Sequence, residues 1–326
     1  MKQDSVRSAS YTVDCADYIH VVEFNPFESG EEGSLIAFGG NNYVSIASCR
    51  FQEDDASVSG IEFKTLKTFN QGIRADAIAW SPDTNYDSLT PLLRFCTAAS
   101  DKNLRIFTSD LQDKNEFKVF DGHTSYINDV VFCSHDGNTF ASVSDDHTCR
   151  MWNIGKGQTA MFMLRSPGMS VAWHPEESSK LMVAEKTGTI RFYDLLTHQA
   201  ILSLESVQVP LMSADWCLKN PFRVGAVAGN DWIIWEMPRS SYPQNNKPVH
   251  ADRARLFRWS RCSENLFATT GYPGKKNTQL LIHHLKHPQP ILIGSVPVGS
   301  GLSWHRSLPL CVVGGNHKLY FWFTEM

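Results

Sequence analysis

The sequence holds no C-x-x-C pair: its eight cysteines, Cys15, Cys49, Cys96, Cys133, Cys149, Cys217, Cys262 and Cys311, stand far apart. That spacing excludes a zinc ribbon and a dithiol redox motif, and the cysteines read as reduced thiols. No run approaches 18 apolar residues, and the opening MKQDSVRSAS lacks the apolar stretch of a secretory leader. No N-x-[ST] sequon occurs, so a cytosolic or nuclear compartment is expected. Charge of one sign is also missing. With 30 basic and 34 acidic side chains and a net charge of −4, the chain has no general field to hold a nucleic-acid backbone or an anionic membrane. Neither direct nucleic-acid contact nor membrane insertion is therefore expected. No G-x-S-x-G elbow is present, and GYPGKK at 271–276 lacks both the four-residue gap and the following Ser or Thr of a phosphate loop.

What is present is enough apolar sequence to bury a large core, 42% against 20% charged, and that sequence repeats. VVEF, AIAW, DVVF, SVAW, SADW, LFRW and GLSW end at Phe24, Trp80, Phe132, Trp173, Trp216, Trp259 and Trp304. Two residues before each aromatic stands an apolar one: Val22, Ile78, Val130, Val171, Ala214, Phe257 and Leu302. Period 2 predicts a strand with one buried face. Three anchors run into x-Pro at Pro26, Pro82 and Pro175, and proline, which cannot donate to the ladder, ends a strand. A second strand of small residues follows each anchor (TFASVSD, VGAVAGND), then a third that ends in bulk (TCRMW, DWIIW, KLYFW).

Successive anchors lie 56, 52, 41, 43, 43 and 45 residues apart, and four of these intervals match the forty-odd residues of a four-stranded propeller blade. The two long ones require insertions, placed at 51–70 (FQEDDASVSGIEFKTLKTFN) and 81–91 (SPDTNYDSLTP). After KLYFW the last blade is one strand short. The strand-forming segment ASYTVD, 9–14, is the expected donor, and closing the ring this way removes exposed sheet edges. The expectation is an all-β, seven-bladed β-propeller, with residues 1–326 as one domain.

The stretch DGHTSYINDVVFCSHDGNTFASVSDDHTCRMWN, 121–153, concentrates chemistry-bearing residues. A hydrolytic triad would need a nucleophile on a solvent-facing elbow, whereas these serines fall inside a strand. As metal ligands, Cys133 and Cys149 belong to different strands, and the C-x-H and H-x-C pairs make no finger spacing. The Gly122-His123 pair, the Asp136-Gly137 turn and SVSDDHTCRMWN instead resemble the WD40 repeat family. That resemblance implies a buried hydrogen-bonded tetrad of His123, Ser142 (or Ser144), Asp146 and Trp152. Such polar burial is tolerable only when every member is paired. The other blades depart from the pattern: blade four has Tyr193-Asp194 in place of Trp-Asp, and blade one has Ala47.

Elsewhere, Arg253, Arg255, Arg258 and Arg261 could make a basic patch for phosphate or an acidic peptide, but solvent-facing positions on a blade's first strand and its flanks account for them as well. His283, His284 and His287 have no nearby Cys or carboxylate to complete a ligand set and read as edge-strand histidines. The acidic Glu53, Asp54 and Asp55, with Asn85 and Tyr86 of the second insertion, are candidate partner contacts, since long loops on a rigid scaffold often serve that role. The loop 237–250 is a further connector of this kind. No catalytic residue, metal or cofactor is expected.

Fold alone does not give function. A structural hub, a substrate adaptor or histone-type reader, and an enzyme are the competing classes. No acid, base and nucleophile converge, which disfavours an enzyme. Third strands ending Tyr193-Asp194-Leu195-Leu196 and Trp152-Asn153-Ile154-Gly155 lack the Trp-Asp-x-Arg box of cullin-ligase adaptors. From the ASYTVD lead to FWFTEM the chain resembles the WD-repeat nucleoporins. This implies a scaffold subunit of the Y-shaped complex in the nuclear pore's outer rings, partnered by other nucleoporins and chiefly by the large propeller-plus-solenoid short-arm subunit. It also implies residence at the nuclear envelope and, in mitosis, at kinetochores. Phe38-Gly39 is the single F-G pair, which suits a scaffold rather than a disordered FG barrier.

Overall fold

The computed structural model describes residues 6–27, 33–112, 114–237, 240–272, 278–296 and 300–324. All regular structure among them is β. A first strand, β1 (Tyr11–Asp14), precedes blade one, which comprises β2 (Val21–Phe24), β3 (Ser34–Gly39), β4 (Tyr43–Phe51) and β5 (Ile61–Asn70). Blade two is β6 (Ala75–Trp80), β7 (Leu93–Ala99), β8 (Leu104–Ser109) and β9 (Asn115–Phe120). Blade three is β10 (Ile127–Cys133), β11 (Asp136–Ser144), β12 (Thr148–Asn153) and β13 (Gly157–Met163). Blade four is β14 (Gly168–Trp173), β15 (Lys180–Glu185), β16 (Thr189–Asp194) and β17 (Gln199–Glu205). Blade five is β18 (Leu211–Trp216), β19 (Arg223–Ala228), β20 (Asp231–Glu236) and β21 (Asn245–Pro248). Blade six is β22 (Ala254–Trp259), β23 (Leu266–Gly271), β24 (Thr278–His284) and β25 (Leu292–Val296). Blade seven has β26 (Ser300–Trp304), β27 (Leu310–Gly314) and β28 (Lys318–Phe323).

Each blade is a four-stranded antiparallel sheet in chain order, and blade seven is completed by β1, giving the order β1-β28-β27-β26. The closing register pairs Tyr11 with Phe321 and Asp14 with Lys318, so the N-terminal segment donates the missing strand as expected. First strands of neighbouring blades pack against one another around the ring, β2 touching both β6 and β26. They therefore line the axis. The seven apolar residues two before each anchor are all buried, Ile78 being the most exposed at 6%. Small residues of the second strands leave room for neighbouring bulk: a Cβ on Gly225 would lie 2.1 Å from the Phe257 ring of the next blade.

Polar side chains stitch the inner strands together. Asp129 accepts the Val171 N–H at 3.1 Å, Ser170 that of Ala214 at 3.1 Å, Asp215 that of Trp259 at 2.8 Å and Ser303 that of Phe24 at 3.0 Å. Trp80 Nε1–H donates to the Glu23 carbonyl at 3.0 Å, and Trp304 Nε1–H to that of Arg258 at 3.0 Å. These six inner-strand N–H and C=O groups thus find partners on the adjacent blade, as buried backbone must.

The first insertion divides into a loop, 52–60, and the long fourth strand β5. The second, 81–91, joins β6 to β7 and is tied down by the reciprocal Asn85–Leu92 backbone bonds, both 2.8 Å. Both loops lie at the end of the ring where the first strands finish.

Candidate functional site

In blade three, β11 delivers Ser142 between two neighbours, opposite Val130 of β10 and Arg150 of β12. Trp152 Nε1–H donates to Ser142 Oγ at 2.9 Å, and Ser142 Oγ lies 2.7 Å from His123 Nε2. His123 Nδ1 lies 2.8 Å from Asp146 Oδ2. One proton arrangement satisfies all four groups: Trp152 donates to Ser142, Ser142 to Nε2, and Nδ1–H to the carboxylate. This requires a neutral imidazole. Burial favours that form and lowers the His123 pKa, with Asp146 pulling the other way. For Asp146, burial works against the charge, but bonds from Thr148, the Thr124 N–H and His123 outweigh it and hold the carboxyl below its usual range. Gly122 has φ +149°, and a Cβ there would stand 3.1 Å from the Trp152 ring, which is why glycine precedes the histidine.

Ser144, the alternative hydroxyl, is directed elsewhere: it donates to the Ser125 carbonyl at 3.2 Å. The His123–Ser142–Asp146 cluster is enclosed, with the His123 and Asp146 side chains 0% and 3% exposed. A substrate therefore has no route to it. Among the described residues no three His, Cys, Asp or Glu side chains gather in a metal-binding arrangement.

Register exposes equivalents that the sequence reading overlooked. The residue facing the buried apolar one, two before the anchor, is Thr97 in blade two and Thr269 in blade six. Thr97 Oγ1 donates to Gln71 Oε1 at 3.0 Å, while Asp101 takes a two-pronged bond from Arg105 at 2.9 and 2.5 Å. His250 Nε2 meets Thr269 Oγ1 at 2.9 Å, and His283 Nε2 meets the same hydroxyl at 3.3 Å. Blade six thus places His250, Thr269 and His283 where blade three has His123, Ser142 and Trp152. The findable signal was the spacing of 19 residues, shared by His123–Ser142 and His250–Thr269. Blade four uses a different solution: Glu185 accepts the N–H groups of Arg165 and Ser166 at 2.7 and 3.0 Å and pairs with Arg191.

Two expectations are corrected here. His283 does not lie on an edge strand, because β24 runs between β23 and β25; its ring is buried and stacks on Phe267 at 4.9 Å. His284 and His287 do sit together near the rim, ring centroids 5.2 Å apart. Nor do all four arginines face bulk solvent: β22 is an inner strand, so Arg258 points into the axial channel. There it lies within the electrostatic reach of Asp129, Asp215 and Glu23. Arg261 reaches Glu23 at 3.5 Å and Arg255 lies over the Tyr272 ring at 6.0 Å, while Arg253 is exposed.

The candidate partner contacts fold largely onto their own ring. Glu53 accepts the Tyr11 hydroxyl at 2.7 Å, and burial together with Glu53 pushes the Tyr11 pKa up to about 12. Asp55 accepts from Ser57 N–H and Oγ, and Tyr86 packs against the core between blades one and two. Asp54 and the Asn85 side chain are exposed. Of the GYPGKK turn, residues 273–276 lie outside the described residues, as do 238 and 239 of the segment 237–250, which is not a connector throughout, because its residues 245–248 form β21, the fourth strand of blade five.

Seven blades with inner anchors, an enclosed Trp–Ser–His–Asp relay and ring closure by the N-terminal strand define a WD-repeat β-propeller. Residues 114–153 match the WD domain, G-beta repeat family, a span running from β9 through β12. Over the whole chain, 326 residues, the protein is 71% identical to nucleoporin Nup37 of Homo sapiens and 68% identical to that of Mus musculus, covering all of each relative. Nucleoporin Nup37 of Drosophila melanogaster is 36% identical over 296 residues, 90% of this chain and 91% of the relative. The chain belongs to the Nup37 family of nucleoporins.

Proposed function

We propose that the protein acts as one rigid, non-catalytic ring: a scaffold subunit of the Y-shaped complex in the outer rings of the nuclear pore. The observation that carries this reading is full-length similarity, 71% identity over every residue, to a nucleoporin. The enclosed relay supports it, because the groups with catalytic character are consumed inside blades. His123, Ser142, Asp146 and Trp152 then serve to pin the strands of blade three rather than to turn over a substrate.

In this reading the protein resides at the nuclear pore, contributes to pore assembly and to transport through it, and accompanies its complex to kinetochores in mitosis. Its partners are other nucleoporins, chiefly the large propeller-plus-solenoid subunit of the short arm. The insertion loops 52–60 and 81–91 border the contact, Asp54 and Asn85 being the exposed candidates within them. An interface of standard size, about 800 Å² on each side, suffices for a stable subunit contact.

The test is affinity capture of the tagged full chain from nuclear extract, read by mass spectrometry, beside variants in which 52–60 or 83–91 is replaced by a short Gly-Ser turn. Recovery of pore-scaffold subunits, reduced in either loop variant, is expected. Recovery of cullin components or modified histone tails instead would replace the scaffold reading. Undiminished capture by both loop variants would remove the loops from the interface.

A further inference from the structure

Away from the axial channel, a cavity of about 360 Å³ lies at the seam where the ring closes, within the size range of a small-molecule site. Four separate stretches of chain wall it: Arg7, Ser10 and Tyr11 of the N-terminal segment, Glu53 of the first insertion, Leu292 of β25 and Phe323 at the end of β28. Backbone bonds fix these walls. The Arg7 N–H donates to the Ile293 carbonyl at 2.8 Å, and the Arg7 carbonyl accepts Trp322 Nε1–H at 3.4 Å, which pins the N-terminal segment to blades six and seven. On the blade-one side the insertion closes at its neck, where the Gln52 N–H meets the Gly60 carbonyl at 2.9 Å and the Gly60 N–H meets Gln52 Oε1 at 3.1 Å. Glu53 is held next to that neck.

The polar groups of the cavity are not matched to one another. Glu53 Oε1 accepts the Tyr11 hydroxyl at 2.7 Å, but Glu53 Oε2 is buried and has no partner. A buried carboxylate oxygen left unpaired calls for a second donor. Arg7 is exposed, and its guanidinium makes no hydrogen bond or ion pair with any described residue. It therefore offers its paired N–H groups to an incoming carboxylate. Ser10 Oγ receives the Phe323 N–H at 3.0 Å, which leaves its own proton free to donate. Leu292 and Phe323 add an apolar wall. A ligand that answers all of these carries a carboxylate, an N–H beside it and a short apolar side chain.

We propose that this cavity binds an α-amino carboxylate with an apolar side chain. The carboxylate is received by Arg7 and the Ser10 hydroxyl, the α-nitrogen donates to Glu53 Oε2, and the side chain lies against Leu292 and Phe323. A free amino acid and the last residue of a peptide present the same groups. Occupancy ties blade six to blade one across the outer edge of blade seven, so it stabilises the closed ring.

Saturation-transfer NMR and melting curves on the full chain test this with four small molecules. L-Leucine presents the free amino acid and N-acetyl-L-leucine the chain end. N-Acetyl-L-leucine methylamide lacks the carboxylate, and 4-methylpentanoate lacks the nitrogen. Saturable binding of L-leucine or N-acetyl-L-leucine below about 10 mM is expected, at least tenfold tighter than either of the other two, a factor within reach of one charge-assisted hydrogen bond. The melting temperature should rise with the concentration of the molecule that binds. Preference for L-leucine identifies a free amino acid as the source, and preference for N-acetyl-L-leucine a peptide end. Arg7→Gln, which alters an exposed side chain and keeps both backbone bonds, should abolish binding while the unliganded melting temperature stays unchanged. No saturable binding of L-leucine or N-acetyl-L-leucine, equal binding of the methylamide or of 4-methylpentanoate, or full binding by Arg7→Gln would overturn the proposal.

Discussion

Ser142 is the hinge of the blade-three relay, and replacing it by alanine is the sharpest perturbation of it. Ser142→Ala removes one oxygen but orphans two buried groups: the Trp152 indole N–H, which lies 2.9 Å from it, and the His123 Nε2, at 2.7 Å. Trp152 and His123 are 2% and 7% exposed, so water does not replace the lost partner. Each unsatisfied buried polar group costs about 1–3 kcal/mol, which places the loss at about 2–6 kcal/mol out of a typical 5–15. With an unfolding entropy of roughly 2.1 cal/mol/K per residue, a loss of about 4 kcal/mol lowers the melting temperature by ~6 °C. Ser142→Thr is the matched control, because threonine already fills the equivalent places at 97 and 269. It should cost less than about 1.5 kcal/mol, as it keeps the hydroxyl. Urea titration followed by tryptophan fluorescence and by circular dichroism measures both. If Ser142→Ala cost under about 0.5 kcal/mol, or no more than Ser142→Thr, the relay would contribute nothing to stability and the account of blade three would fail.

Acidification should destabilise the ring through its buried histidines. Burial depresses His250 and His305 to about 4 and His283 to about 3. The unfolded chain therefore binds more protons than the folded one between these values and the ordinary value near 6.5. Their contribution is complete above pH 6.5 and is lost as pH falls towards 4, at up to about 3 kcal/mol for each of His250 and His305. Glu23 and Asp129, raised to about 7 and 6, act in the opposite sense, their contribution fading as pH rises through those values. Urea midpoints measured from pH 4 to 7 should rise more steeply for the native chain than for His250→Asn, and parallel slopes would contradict the assignment. Deleting residues 1–14 should leave β28 with an unpaired edge, seen as self-association in light scattering and a lower melting temperature. A monomeric, equally stable product would show that β1 is dispensable.

The repeat was legible because the anchors obey two rules at once: bulk at the strand end and an apolar residue two before it. Strand count, closure and the placement of both insertions follow from those rules. Blade three was legible in detail because its tetrad residue types are the ones its family uses. Blades two, four and six were not, since their chemistry is carried by substitutes. Gln71 stands for histidine, Thr97 and Thr269 for serine, His283 for tryptophan, and in blade four Glu185 takes over the backbone N–H groups that Asp146 receives in blade three. Blade six alone carried a sequence signal, the 19-residue spacing of His250 and Thr269, while blades two and four need the register to be aligned. The channel was opaque for another reason. Glu23, Asp129, Asp215 and Arg258 come from four blades, and only closure of the ring brings them to one axis.

Closure also sets a timetable. The partners in the β1–β28 ladder are separated by roughly three hundred residues, so Tyr11 cannot meet Phe321 until almost the whole chain has left the ribosome. At about 5–20 residues per second that wait lasts on the order of 15–60 s. During it a strand-forming segment stays unpaired while blade after blade condenses behind it. A premature stop that removed only residues 318–326 would leave that first strand without a template permanently, so a very small C-terminal truncation should send the newborn chain to chaperones or proteolysis.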